Sequence, residues 1–530
     1  MNASTRAAVT PHLTALAERG TTFTHAYTVV SSCSPSRAAI LTGLPPHQNG
    51  QNALHNAVWG ATTTTPGIDS IVSYLNRRGY KTGVLGKYHV APIDSFNFTY
   101  GMGKTGSDCW SGQYATDEFD CSSQLPLPPD AGGAGLRGAP DGFSGYNLVA
   151  RNITFMKLAA RQFITELEAA RPWMLWVGFG DCHRAGYHSP SGSFAEYFGS
   201  GVEHLGVQMQ KVPDYTPRFF ANAEVAVPPW LPDHPSVRED IAAAWSALHR
   251  LDQGLGLIAA EAEAGLSPGD ALITIYFADN GIPFPRGKTN LYESGQHEPL
   301  IVALSGAARA TQLRASTATV SSLDLTPTML DFAGVDWPSL RTAPSPRVTY
   351  PGLAAAPPSA KGPSGEEFRL LGQSLLPLLG LNLSLDPNRD PVPPSAAPTG
   401  RNTAFGSHAY HSEVMYYPMR SMRDGRFRLI HNLIPHSLHP TLWDFLGTDV
   451  RAMAYLCACL SSLTQNITIR CGTGSTMGLC RGSTICSNIF TGRSLSSTIR
   501  SQTPLRSTTS RSSRPRVRNW RRCNRICTAG

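Results

Sequence analysis

The amino-acid sequence predicts an α/β protein, with a central sheet covered by helices on both faces and a smaller C-terminal subdomain. Segments with apolar residues at helical spacing alternate with short continuous apolar runs, of which Trp173–Phe179 and Ala271–Ala278 are the clearest. Such runs are typical of strands buried on both faces, so the alternation predicts a covered sheet. Near residue 335 Pro, Ser and Ala become frequent and the alternation ends, which predicts a boundary.

The first predicted helix begins at Thr10-Pro11, because Thr suits an N-cap and Pro the first helical position, and it ends at Gly20. Alternation over Phe23–Tyr27 predicts a short strand. The later predicted elements are a helix through Ile68 and Leu75 ending at Gly79, a strand at Lys81–Leu85, helices near 151–170 and 236–264 that each lead into a buried strand, and a strand at Pro299–Leu304.

These patterns divide the chain of 530 residues into four regions. Residues 1–334 form the α/β domain, 335–403 a Pro-, Ser- and Ala-rich linker with loops, 404–450 the start of the C-terminal subdomain, and 451–530 an Arg-, Ser- and Cys-rich tail. The tail carries 13 arginines and no acidic residue, so the net charge of +8 arises there and the remaining chain is mildly acidic. Aromatic residues for base stacking are nearly absent, which disfavours a nucleic-acid-binding arm and favours a disordered or out-of-frame segment.

The sequence gives several indications about the compartment. No apolar run is long enough for a membrane span, and the first residues are neither basic nor apolar, so no signal peptide is predicted for this chain. Cys109 and Cys121 flank an inserted loop at 101–145 and are able to pair in an oxidising compartment. A glycosylation sequon at Asn152, together with three further sequons, favours the secretory pathway.

Two motifs carry the strongest chemical signal. In Cys33–Gly43, the pair Pro35-Ser36 suits a helix start, where backbone N–H groups favour an anion, and Arg37 adds a permanent positive charge. The second motif, Gly79–His89, ends in Lys87 and His89. On its own a Lys-x-His pair is usually a surface feature, and only its place after the first motif marks it as functional.

Further polar residues follow the predicted buried strands, at the strand ends where ligand sites of α/β sheets lie. Asp279 and Asn280 offer oxygen ligands that suit Ca²⁺, although an Asx turn explains the pair equally well when it is taken alone. His183 ends the Trp173–Phe179 strand, and Lys288 follows the strand that carries Asp279.

Cys33–Gly43 resembles the sulfatase-family signature C-x-P-S-R-x-x-x-L-T-G, and Gly79–His89 is similar to the second signature of that family. The resemblance implies an alkaline-phosphatase/sulfatase-like fold. It also implies that a formylglycine-generating enzyme oxidises Cys33 to formylglycine (3-oxoalanine). One oxygen of the hydrated aldehyde then attacks sulfur, and the other expels sulfate as the aldehyde re-forms, which divides one difficult step into two.

The same resemblance implies roles for individual residues. His183 is the acid for the leaving group and His89 a candidate base. Cys182 stands where relatives carry Pro, and Lys288 where N-sulfatases carry Arg, so both positions depart from the pattern. The implied site consists of catalytic Cys33, Arg37, Lys87, His89, His183 and Lys288, of Asp279 and Asn280 for one Ca²⁺, and of substrate-binding Asp181, Arg184, His411 and Arg420.

Leu44–Gly50, Ser322–Asp331 and Tyr417–Ser421 resemble the sulfamidases within this family. The implied function is removal of N-linked sulfate from glucosamine residues of heparan-type glycosaminoglycan in a lysosome or the secretory pathway. Three alternatives remain: an O-sulfatase acting on a sulfated carbohydrate, an inactive pseudo-sulfatase that only binds sulfated glycans, and, remotely, a phosphodiesterase. The expected partners are the sulfated carbohydrate and the formylglycine-generating enzyme, with a homodimer as a candidate assembly and neither nucleic acid nor membrane.

The family resemblance also implies a strand ending in an Asp-Asp metal-binding pair well before the signature cysteine. Only 32 residues precede Cys33, and no Asp occurs before Asp69. We therefore expect a chain that is truncated at its N-terminus, carries an aberrant C-terminal tail and, lacking these metal ligands, has doubtful activity.

Overall fold

The computed structural model describes residues 3–54, 64–65, 68–91, 93–101, 150–167, 171–183, 212–308, 314–335, 370–379, 402–411 and 416–435, together with the strands at 468–473 and 476–481. The chain divides into two compact units, Met1–Tyr455 and Leu456–Gly530. The predicted Cys109–Cys121 pairing, the loop around it, most of the predicted linker and Arg184 lie outside the described residues.

The helices of the first unit follow the predicted order. They are α1 (Ala3–Val9), α2 (Pro11–Arg19), α3 (Cys33–Thr42), α4 (Pro46–Asn49), α5 (Ile71–Arg77), α6 (Ile153–Thr165), α7 (Pro235–Ala264), α8 (Glu293–Gln296) and α9 (Leu325–Phe332). The helix predicted from Thr10 is confirmed as α2, but the Thr10 side chain does not cap it. Instead Asp252 of α7 accepts the backbone N–H groups of His12 and Leu13, at 2.9 and 2.7 Å.

The strands of the first unit are β1 (Thr21–Tyr27), β2 (Lys81–Gly86), β3 (Trp173–Gly178), β4 (Ala271–Phe277), β5 (Leu300–Gly306), β6 (Ala315–Ser321), β7 (Thr403–His408), β8 (Met419–Asp424) and β9 (Phe427–Asn432). The first five strands lie where the sequence predicts them, and β6 to β9 were not predicted as strands. In the second unit, β10 (Thr468–Thr473) and β11 (Thr476–Arg481) form an antiparallel hairpin.

The strands of the α/β region form two sheets among the described residues. One has the order β4-β5-β1-β6, in which β5 runs antiparallel to both neighbours and β1 parallel to β6. The other is the parallel pair β2-β3. The α/β class is confirmed. The sequence predicts one central sheet, whereas the described strands form two sheets in this region. No described strand pairs with the outer edge of β4 or with the outer edge of β3.

Both of these edge strands are apolar and only partly buried. All seven residues of β4 and all but the last of β3 keep part of their surface exposed. The buried core is formed by the other strands of the larger sheet, where Phe23 of β1, Val302 of β5 and Val320 of β6 pack with Ile40 of α3. All ten residues of helix α3 are buried, and Ile40 is the residue of α3 that packs into this core.

A three-stranded antiparallel sheet, β7-β8-β9, begins at the predicted subdomain boundary. It is fixed to the α/β region through α8, where Glu293 accepts from Tyr27 Oη at 3.0 Å and from Arg428 Nη2 at 2.7 Å. The backbone N–H of Ser407 donates to the carbonyl of Val29 at 2.8 Å. Among the described helices, none has the length and apolar character needed to cross a membrane.

Candidate active site

The site begins at the N-terminus of α3, whose first residue is Cys33. Ser32 is the N-cap in extended backbone conformation, but its hydroxyl does not cap the helix. That hydroxyl shares a hydrogen bond with His411 Nδ1, at 2.7 Å. Cys33 is only 2% exposed. The candidate nucleophile is thus a buried side chain whose neighbour, Ser32, contacts the segment that follows β7.

Lys87 reaches Cys33 from the end of β2. Its Nζ lies 3.4 Å from Cys33 Sγ, and its backbone N–H donates to the carbonyl of Gly178 at 2.6 Å. A side chain at Gly178 would collide with the Lys87 backbone, since an added Cβ would stand 2.0 Å from the Lys87 carbonyl oxygen. The absence of a side chain at Gly178 therefore brings the two chains close enough to deliver Lys87 to the site.

Arg37 joins the nucleophile helix to the strand end that carries Asp279. Its Nε donates to Asp279 Oδ2 at 2.7 Å, and its Nη1 donates to the Lys87 carbonyl at 2.8 Å. Burial raises the pKa of Asp279, but the positive charges of Arg37, Lys87 and Lys288 outweigh burial and hold this pKa below its usual value. Asp279 therefore stays ionised among three cations.

His183 and Lys288 form the opposite part of the site. Lys288 Nζ lies 3.1 Å from His183 Nε2. An ammonium group has no lone pair to accept with, so His183 Nε2 accepts in this arrangement. Lys288 is 2% exposed. The pair is therefore a buried ammonium group beside a partly exposed imidazole.

Backbone strain concentrates beside these residues. His89, Arg286 and Thr289 have positive φ angles of 59°, 67° and 70°, in the left-handed region that side chains with a Cβ avoid. His89 is 3% exposed, and the backbone N–H of Thr289 donates to the carbonyl of Ser31 at 2.7 Å. Such strain persists where the surrounding structure imposes it, and it is common at functional sites.

Asp181 is not placed as a substrate-binding residue. Both of its carboxylate oxygens are occupied by buried arginines: Arg250 donates at 2.8 and 2.9 Å, and Arg151 forms a second ion pair. The Asp181 side chain is 1% exposed. These contacts give no support to the substrate-binding role expected from sequence, because the carboxylate is buried and its hydrogen bonds go to two guanidinium groups.

The remaining predicted residues have different surroundings. Arg420 is exposed at the start of β8, and His411 is buried against Ser32. Asn152 is the N-cap of α6, where its Oδ1 accepts the N–H of Phe155 at 3.0 Å, and it is 3% exposed. Because the Asn152 side chain is buried, little of it is accessible in the folded chain, and its glycosylation stays a prediction. Burial raises the pKa of the Cys182 thiol to about 11, which disfavours the reactive thiolate form.

Asp279 and Asn280 fit a cation site in part. Asn280 Oδ1 is buried and has no hydrogen-bond partner, as expected of an oxygen reserved for a cation. Asp279, in contrast, already accepts from Arg37. No group of three His, Cys, Asp or Glu residues able to hold a metal occurs within the described part of the chain. These two residues would supply two of the six to eight oxygens that Ca²⁺ takes.

The sequence analysis did not single out four residues that shape the site: Trp176, Gly178, Arg151 and Arg250. Trp176 Nε1 donates to the Lys87 carbonyl at 3.3 Å, and Arg151 and Arg250 surround Asp181. Only Gly178 carried a usable signal, because an isolated glycine in a strand often marks close backbone approach. Buried arginines have no such signature.

Comparison with known proteins identifies the family of this chain. Residues 2–335 match the family model described as Sulfatase. The chain is 36% identical over 430 residues to human N-sulphoglucosamine sulphohydrolase, which covers 81% of this chain and 69% of that protein. It is 27% identical over 381 residues to human Arylsulfatase A, covering 66% of this chain and 62% of that protein.

Among solved structures, a 2-O GAG sulfatase matches with 17% identity and a TM-score of 0.47, covering 86% of each chain. The family model spans more than half of the 530 residues, and it includes the two signature motifs as well as β1 to β6. The chain belongs to the sulfatase family.

Proposed function

We propose that this protein hydrolyses the N-linked sulfate of glucosamine residues in heparan-type glycosaminoglycan, with a formylglycine nucleophile made from Cys33. The observation that carries the proposal is the contact of Cys33 with Lys87 at the start of a buried helix. Arg37 and Lys288 act with Lys87 on the charge of Asp279, and Lys288 contacts His183. The 36% identity to human N-sulphoglucosamine sulphohydrolase supports the N-linked substrate.

The surroundings of Cys33 suit an oxygen nucleophile that attacks an anion. A buried sulfate needs compensating positive charge, and Lys87, Arg37 and Lys288 supply it around one carboxylate, Asp279. In the proposed reaction one hydroxyl of the hydrated formylglycine attacks sulfur and the S–N bond breaks. The second hydroxyl then loses its proton, the aldehyde re-forms and sulfate leaves. Water restores the hydrate, which completes the cycle.

His183 is proposed as the acid that protonates the departing nitrogen. An amine leaves readily only when it is protonated as the S–N bond breaks, so an acid within hydrogen-bond reach is required. In the absence of substrate, His183 Nε2 accepts from Lys288. When sulfate attracts the Lys288 ammonium, Nε2 is released and is able to take up the proton that it later donates. Lys288 thus has two partners, one before and one after binding.

Asp279 and Asn280 are proposed to contribute to binding one Ca²⁺, which the family resemblance implies. The buried, unpartnered Oδ1 of Asn280 supports this assignment. When bound, the cation supplies positive charge that favours ionisation of the nucleophile. Arg37 is proposed to orient Asp279 through its 2.7 Å hydrogen bond.

One observation favours an O-sulfatase as a second candidate. Lys288 stands where N-sulfatases carry Arg, and a lysine offers a single point charge instead of a two-pronged contact with sulfate. The resemblance of Leu44–Gly50 and Tyr417–Ser421 to sulfamidases points the other way. A pseudo-sulfatase that only binds sulfated glycans is a third candidate, because the described metal ligands are few.

We also propose a lysosomal or secretory location, since the human relative at 36% identity is the enzyme of N-sulphoglucosamine hydrolysis and the sequence carries sequons. The proposed partners are a sulfated carbohydrate and the formylglycine-generating enzyme. A homodimer remains a proposal.

The proposal is tested in two stages. The protein is first produced with a formylglycine-generating enzyme, and the Cys33 peptide is analysed by mass spectrometry, with Cys33→Ala as the control. We expect an aldehyde in the parent protein, and a pure thiol would contradict the nucleophile. Next, kcat/KM is compared for N-sulfoglucosamine and glucosamine 6-sulfate. Preference for the N-sulfate supports the proposal, preference for the O-sulfate selects the second candidate, and binding without turnover selects the third.

A further inference from the structure

A buried ion triad adjoins the loop that carries His183. Arg250 donates to both oxygens of Asp181, at 2.8 and 2.9 Å, and Arg151 forms an ion pair with the same carboxylate. Both arginine side chains are 0% exposed and that of Asp181 is 1% exposed. Two positive charges and one negative charge are thus removed from water. Such an arrangement is costly to form and is a poor means of gaining stability, so it calls for another explanation.

The triad is connected to His183 through the backbone. Arg151 Nη2 donates to the carbonyl oxygen of His183 at 2.9 Å, and the backbone N–H of Gly180 donates to the carbonyl of Ala150 at 2.8 Å. Both ends of the segment 180–183 are therefore held by residues 150–151. One guanidinium group, that of Arg151, neutralises Asp181 and fixes the main chain of His183.

We propose that Arg151, Asp181 and Arg250 are positioning residues that hold the His183 ring where it transfers a proton to the leaving group. This inference rests on the role of His183 in the proposed function. A general acid acts only within hydrogen-bond reach of its target atom, and a displacement of about 1 Å reduces the rate by about 100-fold. The planar guanidinium fork is suited to this task, because one rigid group contacts the carboxylate and the carbonyl together.

Dependence on the leaving group distinguishes positioning from general structural support. The nitrogen of N-sulfoglucosamine must be protonated as it leaves, whereas the 4-nitrophenolate of 4-nitrophenyl sulfate leaves without a proton. Loss of acid catalysis therefore slows only the first substrate. General damage to the fold slows both.

The test uses the full chain, produced with a formylglycine-generating enzyme, and the variants Arg151→Lys and Arg250→Lys. Both substitutions keep the positive charge but remove the planar guanidinium group and its parallel N–H donors. Arg161→Lys is the matched control, because Arg161 lies on α6 and forms its ion pair with Glu261 at the surface. For Arg151→Lys we expect kcat on N-sulfoglucosamine to fall at least about tenfold with KM unchanged, and no change on 4-nitrophenyl sulfate. Arg250→Lys should lose less, because the described hydrogen bond to the His183 carbonyl comes from Arg151.

A second measurement does not depend on turnover. The His183 ring resonance in histidine-labelled protein is assigned by its loss in His183→Gln. Lys288→Gln removes the hydrogen-bond partner of His183 Nε2 and so sets a reference direction for the resonance shift. The His183 resonance of Arg151→Lys should shift in that same direction. The resonance of the control Arg161→Lys should not shift. An unmoved resonance, or equal losses on both substrates, would overturn the inference. If the parent protein hydrolyses neither substrate, the proposed function fails, and the resonance still decides whether the triad positions His183.

Discussion

Gly178 controls where Lys87 lies, so Gly178→Ala is a direct test of how the site is built. A Cβ at this position would stand 2.0 Å from the Lys87 carbonyl oxygen, 2.8 Å from its carbonyl carbon and 3.0 Å from its Cα. Because non-bonded carbon contacts are best at about 3.5–4.0 Å, β2 and β3 must separate by about 1 Å or more at their ends. The atoms involved are backbone, so no side-chain rotation relieves the collision.

Two measurable effects follow from this separation. Overpacking of this kind typically costs about 1–3 kcal/mol in the free energy of unfolding. The Lys87 carbonyl also accepts from Arg37 at 2.8 Å, and the Lys87 ammonium lies 3.4 Å from Cys33 Sγ. A shift of about 1 Å in this network should reduce kcat/KM by about 100-fold.

The assay combines urea denaturation with turnover of 4-nitrophenyl sulfate by the formylglycine-containing protein. Gly425→Ala is the control, because an added Cβ there meets no atom within 4 Å. We expect the control to match the parent in both measurements. Parental stability and parental kcat/KM in Gly178→Ala would refute the reasoning, since the strands would then accommodate the methyl group without moving Lys87.

Two further predictions concern the support of the fold. Asp252→Ala should lower the free energy of unfolding by about 2 kcal/mol, because the N–H groups of His12 and Leu13 lose their acceptor, and an unchanged urea midpoint would contradict this. Burial raises the pKa of Glu293, but the hydrogen bond and charge of Arg428 outweigh it, so the net pKa is lowered. The stabilisation that Glu293 gives is therefore complete above its unfolded pKa of about 4.3 and is lost as pH falls through the lower folded value. Glu293→Gln should accelerate hydrogen exchange in β8 and β9 at neutral pH and make no difference in strong acid, whereas equal effects at both pH values would contradict this sign.

The sequence predicted local elements well where a physical rule acts over a few residues. Helix α2 follows from Thr10-Pro11 and Gly20, and β4 follows from its continuous apolar run. The signature motifs placed Cys33 and Lys87 in one site, and the structure brings their side chains to 3.4 Å.

Long-range partners escaped prediction because nothing in a local pattern encodes them. The cap of α2 comes from Asp252, which lies 240 residues along the chain from His12. The position of Asp181 after a strand predicts a site residue, yet its carboxylate forms ion pairs with Arg151 and Arg250. The burial of these two arginines has no periodic signature in the sequence. Apolar runs likewise predict that strands exist but not which strands pair, so the division into two sheets could not be foreseen.

The open edges of β3 and β4 have a consequence for the behaviour of the protein in solution. Within the described residues, nothing pairs with the outer edge of β4, whose seven residues, Ala271–Phe277, are uncharged, free of Pro and rich in β-branched and aromatic side chains. An edge strand of this composition, with which no described strand pairs, is a template for a strand from another molecule. We therefore expect concentration-dependent association of copies through this edge, with intermolecular β-sheet as its spectroscopic signature.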